Sequence, residues 1–245
     1  MKILGVIPAR YGSSRFEGKP LALINGKTMI EWVYKRALKS NVDKLIVATD
    51  DMRIYDKVKE FGGDVMMTSN SHKTGTDRII EVAKEWNEYD VIINIQGDEP
   101  LIEVEMINQL IVPFVENSKL KMATLKHEIS NKNNIVNPNI VKVITDKNGY
   151  ALYFSRTPIP YNRDKKDAKY YRHIGIYGYN RQFLLNYNNL EKSVLEEMES
   201  LEQLRALENG YKIKVETTNF DVRGVDTPED LHEVERIIKI KGIKI

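Results

Sequence analysis

Arg10, Arg15 and Lys19 fall within ten residues of one another, separated by small residues that include Gly12, Ser13, Ser14 and Gly18. Three cations in such a setting can cradle a polyphosphate, because small side chains free backbone N–H groups to wrap an anion. The spacing is not that of a P-loop. Gly12 to Gly18-Lys19 carries one residue too many, and Pro20 stands where the magnesium-binding hydroxyl belongs. There is no G-x-G-x-x-G. A turn-rich surface loop with solvated cations fits the same residues.

Gln96-Gly97-Asp98-Glu99-Pro100 follows a second apolar run, so Asp98 projects from the end of a buried strand. Magnesium is commonly held by one or two carboxylates together with substrate phosphates, and Asp98 beside the cationic loop suits that chemistry. A turn Asp before Pro is the plainer alternative. Gly224-Val225-Asp226-Thr227-Pro228 offers another carboxylate, although Asp226 is also a good helix N-cap. Asp50-Asp51 invites contact with a ribose or capping of the next helix, and capping suits it better. Arg78 stands on the first turn of a helix and can pair with an acid or reach a substrate anion. His173, one of four His, begins a strand, where a lone His is more often structural than catalytic. Glu202, Gln203 and Arg205 share a helix, and charged residues there usually form a solvated face.

Positioning these groups requires strands that end where they stand. Ile3–Ile7, Lys44–Thr49, Asp64–Met67 and Asp90–Gln96 read as buried strands. Between them lie helical patterns that start near Lys27-Thr28, run through Ile54, Val58 and Phe61, and follow a cap at Thr74–Asp77. That alternation predicts an α/β fold, a mainly parallel mixed sheet with helices on both faces, which binds ligands at the carboxyl ends of its strands. Asp146-Lys147-Asn148-Gly149 between two apolar runs predicts a hairpin, so antiparallel strands join in the second half. A helix is expected from Glu199 to Leu207, strands at Ile174–Tyr179 and Lys212–Thr217, and a last helix opening with Asp226 as its cap. Residues 155–169, with two Pro and many charges, read as an excursion.

Composition narrows the function. The 245 residues fit one α/β domain, 1–245, and the net charge of +2 gives no basic field for nucleic acid. No apolar run approaches a membrane span, and no signal peptide is evident, so no membrane partner is expected. The lack of Cys excludes disulfides, thiol catalysis and zinc–thiolate sites and is compatible with the cytoplasm.

Taken together, Ile7-Pro8-Ala9-Arg10-Tyr11-Gly12-Ser13-Ser14-Arg15, Gly75-Thr76-Asp77-Arg78, Asn94–Pro100, Tyr153–Tyr161, His173–Tyr177, Glu199–Arg205 and Gly224–Leu231 resemble the 3-deoxy-manno-octulosonate (Kdo) cytidylyltransferase family along essentially the whole chain. The resemblance implies a nucleotide-diphospho-sugar transferase, Rossmann-like fold with a small antiparallel dimerisation subdomain, acting as a homodimer. It implies transfer of CMP from CTP to Kdo with Mg²⁺, giving CMP-Kdo and pyrophosphate for lipopolysaccharide biosynthesis. By the same resemblance Pro8, Ala9, Arg10, Ser14, Arg15, Lys19 and Gln96 bind CTP, with Gln96 at the cytosine. Asp98 and Asp226 hold the metal and, with Arg10 and Lys19, form the catalytic set. Arg78, Arg156, His173, Tyr177, Glu202 and Gln203 line the sugar pocket. Phe16-Glu17 departs from the family, which commonly has a Pro before Gly18. Activation of another ulosonic acid and a silent nucleotide-binding paralogue are the alternatives. The aromatic stretch from Tyr170 to Tyr187 is expected at the subunit contact.

Overall fold

In the computed structural model, which describes residues 1–12, 16–164 and 167–245, the first half is built as its patterning requires. β1 (Ile3–Ala9) is followed by a small hairpin, β2 (Leu23–Ile24) and β3 (Lys27–Thr28), and by α1 (Met29–Ala37). β4 (Lys44–Thr49), α2 (Met52–Glu60), β5 (Val65–Met67), α3 (Gly75–Glu85) and β6 (Val91–Asn94) complete the alternation. β1 pairs in parallel with β4 and β6, and β4 with β5. Side chains alternate along each strand: Ile3 and Ile7 join the apolar layer under α1 and α2, whereas Leu4 and Val6 join the layer under α3.

Residues 101–139, left without elements by sequence patterning, hold α4 (Val104–Glu116) and β7 (Met122–Glu128). Pro113 sits inside α4, where it removes a helical N–H and hides the helix from a pattern search. The expected hairpin is β8 (Lys142–Thr145) and β9 (Ala151–Ser155), turning at Gly149 with φ 78°. β10 (Tyr171–Asn180) then runs antiparallel between β6 and β7, and α5 (Arg181–Asn186) follows it.

The helix expected from Glu199 is two helices. α6 (Val194–Glu199) ends at Ser200, whose φ of 50° breaks the ladder, and α7 (Gln203–Glu208) begins anew. β11 (Ile213–Thr218) pairs in parallel with β7 and closes the sheet order β11-β7-β10-β6-β1-β4-β5, with β8 and β9 extending from β10. α8 (Pro228–Lys241) packs Val234 and Ile238 against Ile24, Met29 and Trp32. The main run of the sheet is thus mostly parallel with helices on both faces, and β10 and the β8–β9 hairpin supply the antiparallel pairs. No helix among the described residues is long and apolar enough to cross a membrane.

Candidate active site

Three loops meet at the carboxyl edge of β1 and β6. The loop after β1 closes on itself where Gly18 N–H donates to the Tyr11 carbonyl at 2.9 Å, with Gly18 at φ 68°. The Tyr11 ring fills the space beside Gly18, and the Arg53 guanidinium stacks 3.2 Å above that ring while Asp51 holds it by two hydrogen bonds. This folding carries Lys19 back toward the sheet. Gly97 lets the loop after β6 press on β1, since a Cβ there would lie 2.8 Å from the Pro8 carbonyl oxygen. The third loop is tied to the second by a backbone bond from Val225 N–H to the Asp98 carbonyl at 2.9 Å.

The result is a cluster that sequence separation conceals. Lys19 Nζ donates to Asp98 Oδ2 at 2.7 Å and to Asp226 Oδ1 at 3.3 Å, with the lysine side chain only 15% exposed. Asp226 does not cap the last helix as expected. Thr227 does: its Oγ1 accepts from Asp230 N–H at 3.2 Å, and Asp230 returns the bond to Thr227 N–H at 2.9 Å. The capping residue sits one position later, which turns the Asp226 carboxylate toward Lys19. Burial, and then the charge of Asp98, push the Glu99 carboxyl up to about 8, so Glu99 is protonated at neutral pH. The two aspartates gather around one positive centre, the donor set a hard cation takes when phosphates complete it.

Beside this rim, a cavity of about 180 Å³ opens between β1, β6, β10, the N-terminus of α3 and α7. Pro8 and Gln96, expected at CTP, line it together with Tyr177, Glu202 and Gln203, expected at the sugar. Gln96 Nε2 donates to the Gly175 carbonyl at 2.6 Å, a carbonyl exposed where β10 slips register against β7. Glu202 Oε2 accepts from Thr76 Oγ1 at 3.1 Å, and burial raises its pKa. The phenols of Tyr177 and Tyr179 are pushed well above their ordinary range by burial. Thr76, Asn94, Tyr179 and Tyr187 also line the cavity and were not foreseen. Asn94 opens the Asn94–Pro100 motif and is a lone polar residue in the apolar run Val91–Ile95, the two signals that could have found it.

Other expected site residues lie elsewhere. Arg78 does not reach the pocket. Its side chain is wholly buried, held by Asp50 at 2.6 Å and by the Thr68 hydroxyl, so it ties α3 to the ends of β4 and β5. Asp51, not Asp50, caps α2. Arg156 does not line the pocket either. Its guanidinium donates to the Glu199 carbonyl at 2.6 Å, Pro138 at 3.0 Å and Ser200 at 3.3 Å, bracing the break before Glu202 and Gln203. Lys142, with no side-chain exposure, braces the same region through the Asn137, Ile140 and Arg156 carbonyls. His173 stands behind the pocket, between Phe154 and Tyr177, with Nε2 3.0 Å from Thr124 Oγ1. Burial, reinforced by the Arg172 charge, lowers its pKa to about 3, so it stays neutral and structural. Of the tyrosines assigned to subunit contact, Tyr179 and Tyr187 are buried in this chain's own core, and Tyr170, Tyr171 and Tyr177 are half-buried. Arg10 is exposed at the end of β1, its Nη1 3.4 Å from the Lys73 carbonyl, and Ala9 is buried beside it. Ser14 and Arg15 lie outside the described residues.

A parallel sheet with a cationic loop after its first strand and paired carboxylates on the same edge defines an α/β nucleotidyltransferase. Comparison with known proteins narrows the class. A family model described as cytidylyltransferase matches residues 4–213. A relative from Fusobacterium nucleatum subsp. nucleatum, 3-deoxy-manno-octulosonate cytidylyltransferase, is 62% identical over 245 residues, covering 100% of both chains. A solved structure of CMP:2-keto-3-deoxy-manno-octonic acid synthetase complexed with CTP is 45% identical, covers 98% of this chain and 100% of its own, and superposes with a TM-score of 0.95. The 4-diphosphocytidyl-2C-methyl-D-erythritol synthase of Anaerococcus prevotii, 17% identical with a TM-score of 0.63 over 97% of this chain and 99% of its own, shares the fold. The chain belongs to the 3-deoxy-manno-octulosonate cytidylyltransferase family.

Proposed function

We propose that this enzyme transfers CMP from CTP to the anomeric hydroxyl of Kdo, giving CMP-Kdo and pyrophosphate. The observation that carries the reading is the convergence of Asp98 and Asp226 on Lys19, beside a polar cavity. The 62% identical relative and the solved relative with CTP support the two substrates. In the reaction the sugar oxygen bonds to the α-phosphorus, the bond to the β-phosphate oxygen breaks, and the hydroxyl proton is lost. Such transfers need little covalent work from a protein, so positioning and charge carry the rate.

Lys19 has three N–H donors, two of them on the aspartates, which leaves one for a phosphate oxygen. Arg10 adds charge at the mouth of the same loop, where pyrophosphate departs. Asp98 and Asp226 would hold Mg²⁺, which when bound screens the α-phosphate and acidifies a hydroxyl next to it. Glu202 and Gln203 would meet the sugar, and Gln96, which shares their cavity and is held by the Gly175 carbonyl, would meet the nucleotide. We further infer that residues 1–245 form one catalytic domain and that two copies act as a homodimer in the cytoplasm, supplying activated Kdo for lipopolysaccharide.

Pyrophosphate release across CTP, ATP, GTP and UTP, each with Kdo, an amino-substituted Kdo or a nine-carbon ulosonic acid, tests the assignment. Fastest release with CTP and Kdo is expected. Release no faster than background with that pair, or preference for the nine-carbon acid, would contradict it.

A further inference from the structure

Asn94 is the polar member of an otherwise apolar register. Along β6, Ile92 joins the layer under α3, and Asn94, two residues on, faces the same side. It is 6% exposed, it lies opposite Tyr177 across the antiparallel pair, and its Oδ1 has no hydrogen-bond partner. Across the cavity Gln203, 4% exposed, leaves Nε2 equally without a partner. Burying an unsatisfied acceptor and an unsatisfied donor costs free energy that an apolar pair would avoid. An unpartnered acceptor and an unpartnered donor on two residues that line one cavity suit a group that both donates and accepts, which is the property of a hydroxyl.

The rest of the lining agrees. No Lys or Arg lines this cavity among the described residues, and Glu202 does. A carboxylate is therefore disfavoured here, and an uncharged polyol is not. The 180 Å³ is many times the roughly 10–15 Å³ that one water needs on the same measure, enough for a hydroxylated carbon tail. The cations available to an anionic group, Lys19 and Arg10, lie on the rim outside.

We infer that Asn94 is a specificity-determining residue that accepts a hydrogen bond from a hydroxyl on the sugar's polyol tail, with Gln203 donating on the opposite wall and the sugar carboxylate left outside toward the rim. This rests on the nucleotidyl transfer proposed above and adds what selects the acceptor.

Steady-state kinetics with CTP and Kdo varied in turn test it. Asn94→Leu, which fills the site and removes the acceptor, raises the KM for the sugar roughly 10- to 100-fold, the loss expected when a buried bonding group goes unpaired. The KM for CTP and the melting temperature stay near wild type. Asn94→Thr, which keeps an uncharged acceptor oxygen, raises the sugar KM less than Asn94→Leu does. A series of Kdo analogues lacking one tail hydroxyl at a time gives a reading on the wild-type enzyme alone: one analogue loses tenfold or more in kcat/KM, and Asn94→Leu is indifferent to that loss. A sugar KM unchanged in Asn94→Leu, equal rises for both substrates, or a flat analogue series would each overturn the inference. Wild-type turnover of CTP with Kdo stands apart from these outcomes, so loss of the function and loss of the specificity assignment are told apart.

Discussion

The rim and the cavity both adjoin the end of β6 and solve opposite electrostatic problems. At the rim, Lys19, Asp98 and Asp226 are partly open to solvent, and their opposite charges stand within 3.3 Å. In the cavity, Tyr177, Tyr179, Asn94 and Gln203 are neutral, and Glu202 is pushed toward its protonated form by burial. A triphosphate needs charge that can be rearranged as pyrophosphate leaves, and half-exposed charges near water rearrange cheaply. A sugar tail needs direction rather than charge, which buried neutral hydrogen-bonding groups supply. The contrast teaches that one sheet edge can serve both substrates when the charged groups and the uncharged hydrogen-bonding groups stand at separate places along it.

The largest effect expected falls on the rim. Asp226→Asn keeps the shape of the side chain and removes one of the two charges, so kcat falls roughly 10³-fold, at the upper end for one preorganised electrostatic group. The melting temperature is unchanged, because Thr227 caps α8. Turnover within severalfold of wild type would remove Asp226 from the ion site. Lys19→Ala follows, with roughly a 10²-fold loss in kcat/KM for CTP. Near-native kinetics would place the lysine in a purely structural pairing.

Thr227→Ala sharpens the comparison from the neighbouring position. Loss of the cap costs about 1 kcal/mol and lowers the melting temperature by roughly 2–4 °C. Turnover at 25 °C should hold near wild type. A large loss of rate without loss of stability would mean that the cap and the ion site are not separable.

The smallest effect concerns His173. Its folded pKa of about 3 lies below the ordinary 6.5, so between those values the unfolded chain binds the proton that the folded chain refuses. Its stabilising contribution is complete above pH 6.5 and declines as pH falls toward 3. Urea midpoints measured from pH 7 to pH 4 should therefore fall less steeply in His173→Gln than in wild type. An identical slope would mean that His173 titrates freely.

Much of the rim was legible because its residues follow apolar runs that end abruptly: Arg10 after β1 and Asp98 after β6 could stand nowhere but at the sheet edge. Asp226 was ambiguous because an Asp and a Thr stood side by side before Pro228, and either can cap. The capping box that settles it pairs Thr227 with Asp230. The cavity was less legible. Glu202 and Gln203 enter it only because Ser200 breaks a helix that spacing alone would continue, and Arg156 braces that break from a distant strand end. Arg78 looked free to reach a substrate because its partner, Asp50, belongs to another strand and becomes a neighbour only when α3 packs on the sheet. α4 was hidden by Pro113.

The most direct test of the account follows phosphorus through one reaction. With CTP, Kdo and magnesium, ³¹P NMR should show the triphosphate resonances replaced by equal amounts of pyrophosphate and one phosphodiester, with neither product formed when Kdo is omitted. Persistent CTP, orthophosphate in place of pyrophosphate, or conversion without sugar would contradict transfer of CMP to the sugar by this site.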